Sequence, residues 1–564
     1  MSEGGRSAPA AGSRREAAVV LAFAASLAVP FLGAAFHMDE TYFLAIARHI
    51  LEDPSRPLGF VYNWYGYAAA VERINTQPLA WPYALAAAWA ASGGSEAWLR
   101  ACLLPLDLLA AASVYGLAAA FLRRPLIPAL AVLASPAYFL SMRLALAEKP
   151  AFALGFAGLW LLVLGEQRGR RGLRWAAAGL LAASLLSKYS AVCLLVPAVG
   201  FLLHRGVRPR EAAGFAAAVA APMVCALAAG RWAGHGGGTP ILELLAQGAA
   251  SPAARWAHRS RALGAFLGGC ALPAAAWAVL PSWDRRDRAV AAALAVCACA
   301  LYSPLFDAWP VAGADRAWGA LLAWGGLFGL WRLGAARARI SGWELWAPWA
   351  AAVVVLQGFV YWSVVGRFLG FLVPALVLGS AAALERALPE RASRRAAFAG
   401  LVATACLSLC LGAVDAAYAR AQEAFAQEAR RAAGTRPLWF NGHWGLQFYM
   451  ERVGARPIDA LARGWDAVGV GDFAAVTALN TNAEPPPPGT LLAARSVREA
   501  AHPLPLRLMS AKESEAAFYS SLWGFLPFAW SREALDRLVV YERLASASGG
   551  PAPSRASGSK RAAR

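Results

Sequence analysis

The sequence predicts an all-α polytopic membrane protein of about 13 transmembrane helices, followed by a small α/β extracytoplasmic domain at its C-terminal end. Three observations predict it. Of the 564 residues, 59% are hydrophobic and only 15% charged, and the mean hydropathy of +0.45 is too high for a chain folding in water. Apolar stretches of roughly 17 to 25 residues, enough to cross about 30 Å of hydrocarbon, begin near Ala17 and recur to about Val414. Only helices suit that repeat, because an open sheet in lipid would leave backbone groups unpaired. Beyond Val414 the hydropathy falls and the pattern becomes mixed.

The formal charge of +19 does not point to nucleic acid, since the basic residues are spread among short loops and form no stripe or patch. They read as a topology signal. Basic loops at 123–124, 168–174, 205–210, 285–288, 332–339 and 386–395 are each separated from the next by two apolar crossings. With residues 1–16 (Arg6, Arg14, Arg15) as a cytoplasmic tail, the loops around Asp39, Glu148, Lys188, 231–261, 307–316 and Arg367 fall outside the membrane, as does the C-terminal domain. That is the arrangement expected of a bacterial cytoplasmic-membrane protein.

Taken in order, the run 17–36 is long and lacks a clear small-residue cleavage site, so it reads as a retained anchor. Residues 17–415 form the transmembrane domain, with a long first outer loop at 37–94. Within that loop 78–94 is short and interrupted by Pro82, which suits a membrane-surface or re-entrant segment. Residues 420–431 read as an amphipathic exit helix into the domain 416–544. There, 437–440, 474–478 and 538–542 look like strands, 444–452 like a helix and 485–488 like a stiff polyproline loop. The Ser-, Ala-, Gly- and Arg-rich tail 545–564 has the composition of a disordered segment. All eight cysteines lie in apolar runs, which argues against disulfides or a metal cage.

The chemistry-bearing residues gather on the outer side. His37-Met38-Asp39-Glu40-Thr41-Tyr42 follows the first helix and opens another, so two carboxylates stand at a helix start, where a dipole favours anions. A simple helix cap by Asp39 is the bland alternative. Glu148 begins a helix on the same face, where a surface pair with Lys149 or Arg143 is the alternative. Lys188-Tyr189 interrupts an apolar run and Arg367 another; such cations suit a lipid phosphate, or else snorkel to headgroups. Tyr62, Trp64, Tyr65 and Tyr67 surround Asn75-Thr76-Gln77-Pro78, a polar-aromatic set suited to sugar rings, while Trp81 and Tyr83 read as an interfacial belt. Trp439-Phe440-Asn441-Gly442-His443-Trp444-Gly445 is turn-rich, and its histidine reads as structural. No nucleotide-binding glycine loop, zinc spacing or nucleophile elbow is present.

In order along the chain, a first outer loop opened by Asp39-Glu40, a second acidic residue at Glu148, the hairpin sequence Leu186-Ser187-Lys188-Tyr189 and a late Arg367-Phe368 followed by Pro374 resemble the protein O-mannosyltransferase and lipid A aminoarabinose transferase superfamily. The resemblance covers roughly residues 15–415 and implies a type C glycosyltransferase fold, similar to glycosyltransferase family 39. It further implies inverting transfer from a polyprenyl-phosphate sugar to an envelope lipid, glycan or protein acceptor. On that resemblance Asp39 is the base, with Glu40 and Glu148 as further catalytic carboxylates. Glu148 stands where the family often has Asp. Lys188, Arg367 and Arg143 would bind the donor phosphate, and Tyr42, Tyr65, Asn75, Gln77 and Tyr189 would line the substrate site. No metal is required, and a divalent cation bridging carboxylate and phosphate, as in some type C enzymes, stays open. A transporter or flippase is the rival reading, but its polar groups would collect at the bilayer midplane within repeated broken helices.

Overall fold

The computed structural model describes residues 13–232, 253–279, 283–307, 309–336, 340–480, 485–511 and 513–545. The tail assigned to 545–564 falls almost entirely outside them, as does much of the loop 231–261. Five described helices, Glu96–Phe121, Glu148–Gln167, Pro209–Gly230, Trp343–Val360 and Glu390–Ala433, are each long and apolar enough to cross a bilayer. The chain is a multi-pass membrane protein with a small sheet-bearing C-terminal unit.

The closest helix packing places the two ends that matter. Helices Glu148–Gln167 and Arg171–Ser187 form an antiparallel hairpin, so Glu148, the first residue of one, lies at the same end as Lys188, just past the other. Small residues allow the approach: a Cβ on Gly158 would meet Leu181 at 2.8 Å, and one on Gly155 would meet Ser184 Oγ at 2.9 Å. Ser184 Oγ also donates to Ala151 O across the pair (2.7 Å).

Lys188 and Arg367, two of the three cations expected at the donor phosphate, fall at broken helices. At Lys188 the backbone becomes extended (φ −157°, ψ 127°) before the 3-10 turn Tyr189–Leu194. Helix Trp343–Val355 unwinds through the π turn Leu356–Val360, and Arg367 then sits in the 3-10 turn Gly366–Phe371 ahead of helix Val373–Ala387. Broken helices free backbone groups and are tolerated where neighbouring protein re-satisfies them.

The C-terminal unit holds a five-stranded mixed sheet of β3 (Leu438–Asn441), β4 (Arg456–Pro457), β5 (Phe473–Thr477), β6 (Leu492–Glu499) and β7 (Arg537–Arg543), in the order β4-β3-β5-β7-β6. Strand β3 runs parallel to β4 and β5, whereas β7 is antiparallel to β5 and β6. Helix Gly445–Arg452 lies in the β3-to-β4 connection. In the first loop, β1 (Val61–Asn63) pairs with β2 (Ala68–Ala70), and this hairpin docks on the unit through Ala68 N–H to Asp459 Oδ2 (3.1 Å) and Ala460 N–H to Gly66 O (2.9 Å).

Two expectations need correcting. There is no separate exit helix at 420–431: Glu390–Ala433 is one helix of 44 residues, because no proline interrupts it and only Gly400 and Gly412 weaken it. Nor does Trp81 belong to an interfacial belt. It is buried, and its Nε1–H donates to Ala145 O (3.3 Å). Segment 78–94 contains the 12-residue helix Ala80–Ala91, too short to cross a bilayer.

Candidate active site

Four charged residues from four separate stretches of chain converge. Arg367 Nη2 pairs with Asp39 Oδ2, Arg367 Nε lies 3.1 Å from Glu148 Oε1, and Lys188 Nζ lies 3.3 Å from the same oxygen. Lys188 Nζ also sits 4.3 Å from the Phe368 ring centre. Exposure separates the two acids: the Asp39 side chain is 30% accessible and that of Glu148 only 1%. Asp39 is therefore the carboxylate an incoming molecule reaches, while Glu148 holds the two cations from behind. The Arg367 Nε to Glu148 contact is close but misaligned, leaving both atoms without a hydrogen-bond partner. That is spare capacity for a polar ligand, since buried polar atoms are normally bonded.

The bland alternatives fail here. Asp39 occupies the N-cap position of helix Glu40–Glu52, yet its side chain makes no capping hydrogen bond. Lys149 does not pair with Glu148. It donates instead to Asp107 at 2.8 and 2.7 Å, inside the bundle.

Behind the cluster lies a second ionic network. Glu40 is fully buried and accepts from Arg100 Nη2 (3.1 and 3.3 Å), from the His37 N–H (3.1 Å) and from the Ala145 N–H (2.7 Å). These bonds tie the Asp39 turn to the turn that leads into Glu148, so Glu40 acts as an anchor. Arg143, expected to bind phosphate, instead pairs with buried Asp415. Asp415 Oδ2 also receives Tyr519 O–H (2.8 Å) and contacts His37 Nε2 (3.1 Å). Burial pushes the His37 imidazole down to about 3, so it is neutral near pH 7 and Nε2–H donates to Asp415.

The aromatic set partly reaches this site. Tyr42 is buried with its hydroxyl unbonded, and its ring lies 4.9 Å from that of Trp64, which in turn lies 5.7 Å from His443. Burial brings His443 down to about 4 despite the opposing pull of the Asp39 charge. Tyr65 is more exposed and also feels Asp39, though burial does most to raise its hydroxyl above the ordinary value. Two residues with positive φ flank the site: Met38 (φ 51°) precedes Asp39 and Trp444 (φ 60°) follows His443. Such non-glycine strain costs roughly 1–3 kcal/mol and concentrates at functional sites.

Asn75, Gln77 and Tyr189 are drawn elsewhere, to a largely apolar cavity of about 180 Å³ with Leu186, Met223 and Leu227. Asn75 closes its own turn by donating Nδ2–H to Gln77 O (2.8 Å), whereas Gln77 Oε1 is buried without a partner.

Sequence reasoning missed Arg100, Asp107, Asp415 and Tyr519. A signal existed for the first three, each a charge flanked by apolar residues. Nothing marked Tyr519, in irregular chain.

No family model matches this chain, and no curated protein does. Solved structures similar to it include ArnT from Cupriavidus metallidurans, in the apo state (14% identity, 82% of this chain and 92% of that one, TM-score 0.46) and bound to undecaprenyl phosphate (15%, 82% and 92%, TM-score 0.49). Another is the Archaeoglobus fulgidus oligosaccharyltransferase in complex with Zn and sulfate (14% identity, 82% of this chain, 68% of that one, TM-score 0.43).

Proposed function

We propose that this protein is an inverting glycosyltransferase that moves a sugar from a polyprenyl-phosphate donor to an acceptor hydroxyl or amine on the outer face of the cytoplasmic membrane. The single observation that carries the reading is the convergence of Asp39, Glu148, Lys188 and Arg367. It pairs an accessible carboxylate with two cations, one of which, Arg367, has unused bonding capacity at Nε, as a base facing an anionic leaving group requires.

In this reading the donor phosphate competes with Asp39 for Arg367 and settles against Arg367 and Lys188. Losing its guanidinium partner frees Asp39. The acceptor oxygen or nitrogen then forms a bond to the sugar's anomeric carbon as the carbon–oxygen bond to phosphate breaks. The acceptor proton passes to Asp39, and the electron pair leaves on polyprenyl phosphate. Negative charge grows on that phosphate during the step, so Arg367 and Lys188 stabilise the transition state beyond the ground state. Trp64, half-buried and packed against the buried Tyr42, is the aromatic side chain we assign to a sugar ring or other flat acceptor group.

The test is transfer of radiolabelled sugar from a panel of polyprenyl-phosphate sugars to endogenous acceptors in membranes, comparing wild type with Asp39→Asn. Label that depends on Asp39 supports the reading. Equal labelling by both proteins refutes the role of Asp39. Repeating the assay with EDTA and with added Mg²⁺ or Mn²⁺ reads whether a divalent cation takes part.

A further inference from the structure

We infer that the C-terminal unit completes the active site, with Phe518, Tyr519 and Ser521 acting as positioning residues for Arg367 and Asp39. The inference rests on the reaction proposed above and assigns that unit a part in it.

Residues 364–366, which lead directly into Arg367, are held by this segment. Gly366 N–H donates to Phe518 O (2.8 Å), Ser521 N–H donates to Val364 O (2.9 Å), and Val364 N–H donates to Ser521 Oγ (2.9 Å). This is strand-like gripping of a turn between broken helices, whose freed backbone groups need partners from outside. The approach is close enough to require glycine: a Cβ on Gly366 would stand 2.5 Å from the Phe518 ring and 2.9 Å from its carbonyl oxygen. Ser521 is braced in turn, since its carbonyl oxygen lies 2.6 Å from His258 Nε2 on helix Ala253–Cys270.

Between those backbone contacts, Tyr519 reaches the other half of the site. Its hydroxyl donates to Asp415 (2.8 Å), the carboxylate that also holds Arg143 and His37. His37 lies two residues before Asp39 and donates its own N–H to Glu40. One four-residue segment thus grips the backbone leading to the cation and, through Asp415, the turn that carries the base. A second grip comes from helix Gly445–Arg452, where Tyr449 Oη accepts from Phe36 N–H (2.8 Å) and donates to Glu96 (2.9 Å). Since Arg367 and Asp39 sit on separate elements, their mutual geometry depends on whatever fixes both. The C-terminal unit does so.

The test uses full-length protein in nanodiscs and two readouts. The first is hydrogen exchange of residues 361–371 in Ser521→Ala, with Ser496→Ala on β6 as a control in the same unit whose hydroxyl bonds Glu428 instead. Ser521→Ala should speed exchange at 364–366 by about fivefold or more, the size of one lost hydrogen bond, and Ser496→Ala should not. The second is binding of farnesyl phosphate relative to farnesol, which isolates the phosphate. Ser521→Ala and Tyr519→Phe should each lower the preference for phosphate by about fivefold while leaving farnesol binding unchanged. A general loss of fold would weaken both ligands alike.

Unchanged exchange at 364–366 in Ser521→Ala overturns the grip, whatever the ligands do. Faster exchange with an intact phosphate preference, where Arg367→Ala abolishes that preference, overturns the positioning role and leaves the proposed reaction standing. An intact preference in Arg367→Ala itself overturns the phosphate site and this inference with it.

Discussion

Asp39 and Glu40 are neighbours in the chain, yet they belong to two ionic networks built in different ways. The front network of Asp39, Arg367, Glu148 and Lys188 is partly accessible, and two of its facing atoms lie close without bonding. The rear network around Glu40 is closed to solvent, and both Glu40 oxygens are saturated by a guanidinium and two backbone N–H groups. A rotation of about 100° per helical residue is enough to send adjacent carboxylates to opposite duties. The front network has partners to exchange with a substrate. The rear one is buried throughout and its central carboxylate is fully bonded, so it holds the frame.

The largest contrast should come from Asp39→Asn. Removing the base of the proposed reaction at nearly constant volume should lower transfer by about 10²–10⁴-fold while leaving thermal stability of the purified protein almost unchanged, because the site is accessible. Loss of stability with activity retained per folded molecule would reverse the two assignments. Next in size is Glu40→Gln, which leaves Arg100 buried without its counter-charge. Breaking a buried pair on one side costs about 3–5 kcal/mol, read as a lower unfolding midpoint, and double replacement of Glu40 and Arg100 by apolar residues should recover part of it.

That division explains what the sequence could show. Asp39, Glu148, Lys188 and Arg367 were readable because each charge interrupts an apolar pattern at a membrane boundary, where desolvation makes an idle charge costly. The same rule applied inside the helices would have found Arg100, Asp107 and Asp415. The pairing of Arg143 with Asp415 was not legible, because the two stand 272 positions apart and nothing near either residue names the other. In the C-terminal unit the apolar strands β3, β5 and β7 were legible. Strand β6 was not: its Leu492–Glu499 run has no buried residue and mixes apolar with polar side chains, with a bulge at Ala494/Ser496 that breaks its alternation.

A carboxylate buried without an ion-pair partner sharpens the comparison. Glu515, in the C-terminal unit, accepts from Trp309 Nε1 (2.6 Å) and faces the charge of Asp315, with no ion-pair partner among the described residues. Burial, reinforced by Asp315, raises it to about 7. The folded state therefore holds a proton more tightly than the unfolded chain does. Its contribution to stability is complete below about pH 4.5 and is lost as pH rises through about 7. The free energy of unfolding should fall by an amount on the order of 2 kcal/mol over that window, and Glu515→Gln should flatten the profile. An unchanged slope in the variant would show that another group titrates there.

The smallest effect should separate charge from shape within the front network. Arg367→Lys keeps the positive charge but loses the planar fork that reaches Asp39 through Nη2 and Glu148 through Nε at once. If Arg367 meets the donor phosphate with two parallel bonds, the variant should raise KM for a polyprenyl-phosphate donor about tenfold, corresponding to about 1.4 kcal/mol, with a smaller change in kcat. If kcat falls and KM holds, the guanidinium acts mainly on the departing phosphate in the transition state. Neither result should alter stability as Glu40→Gln does, because Lys188 and the substituted lysine would still neutralise the Glu148 carboxylate.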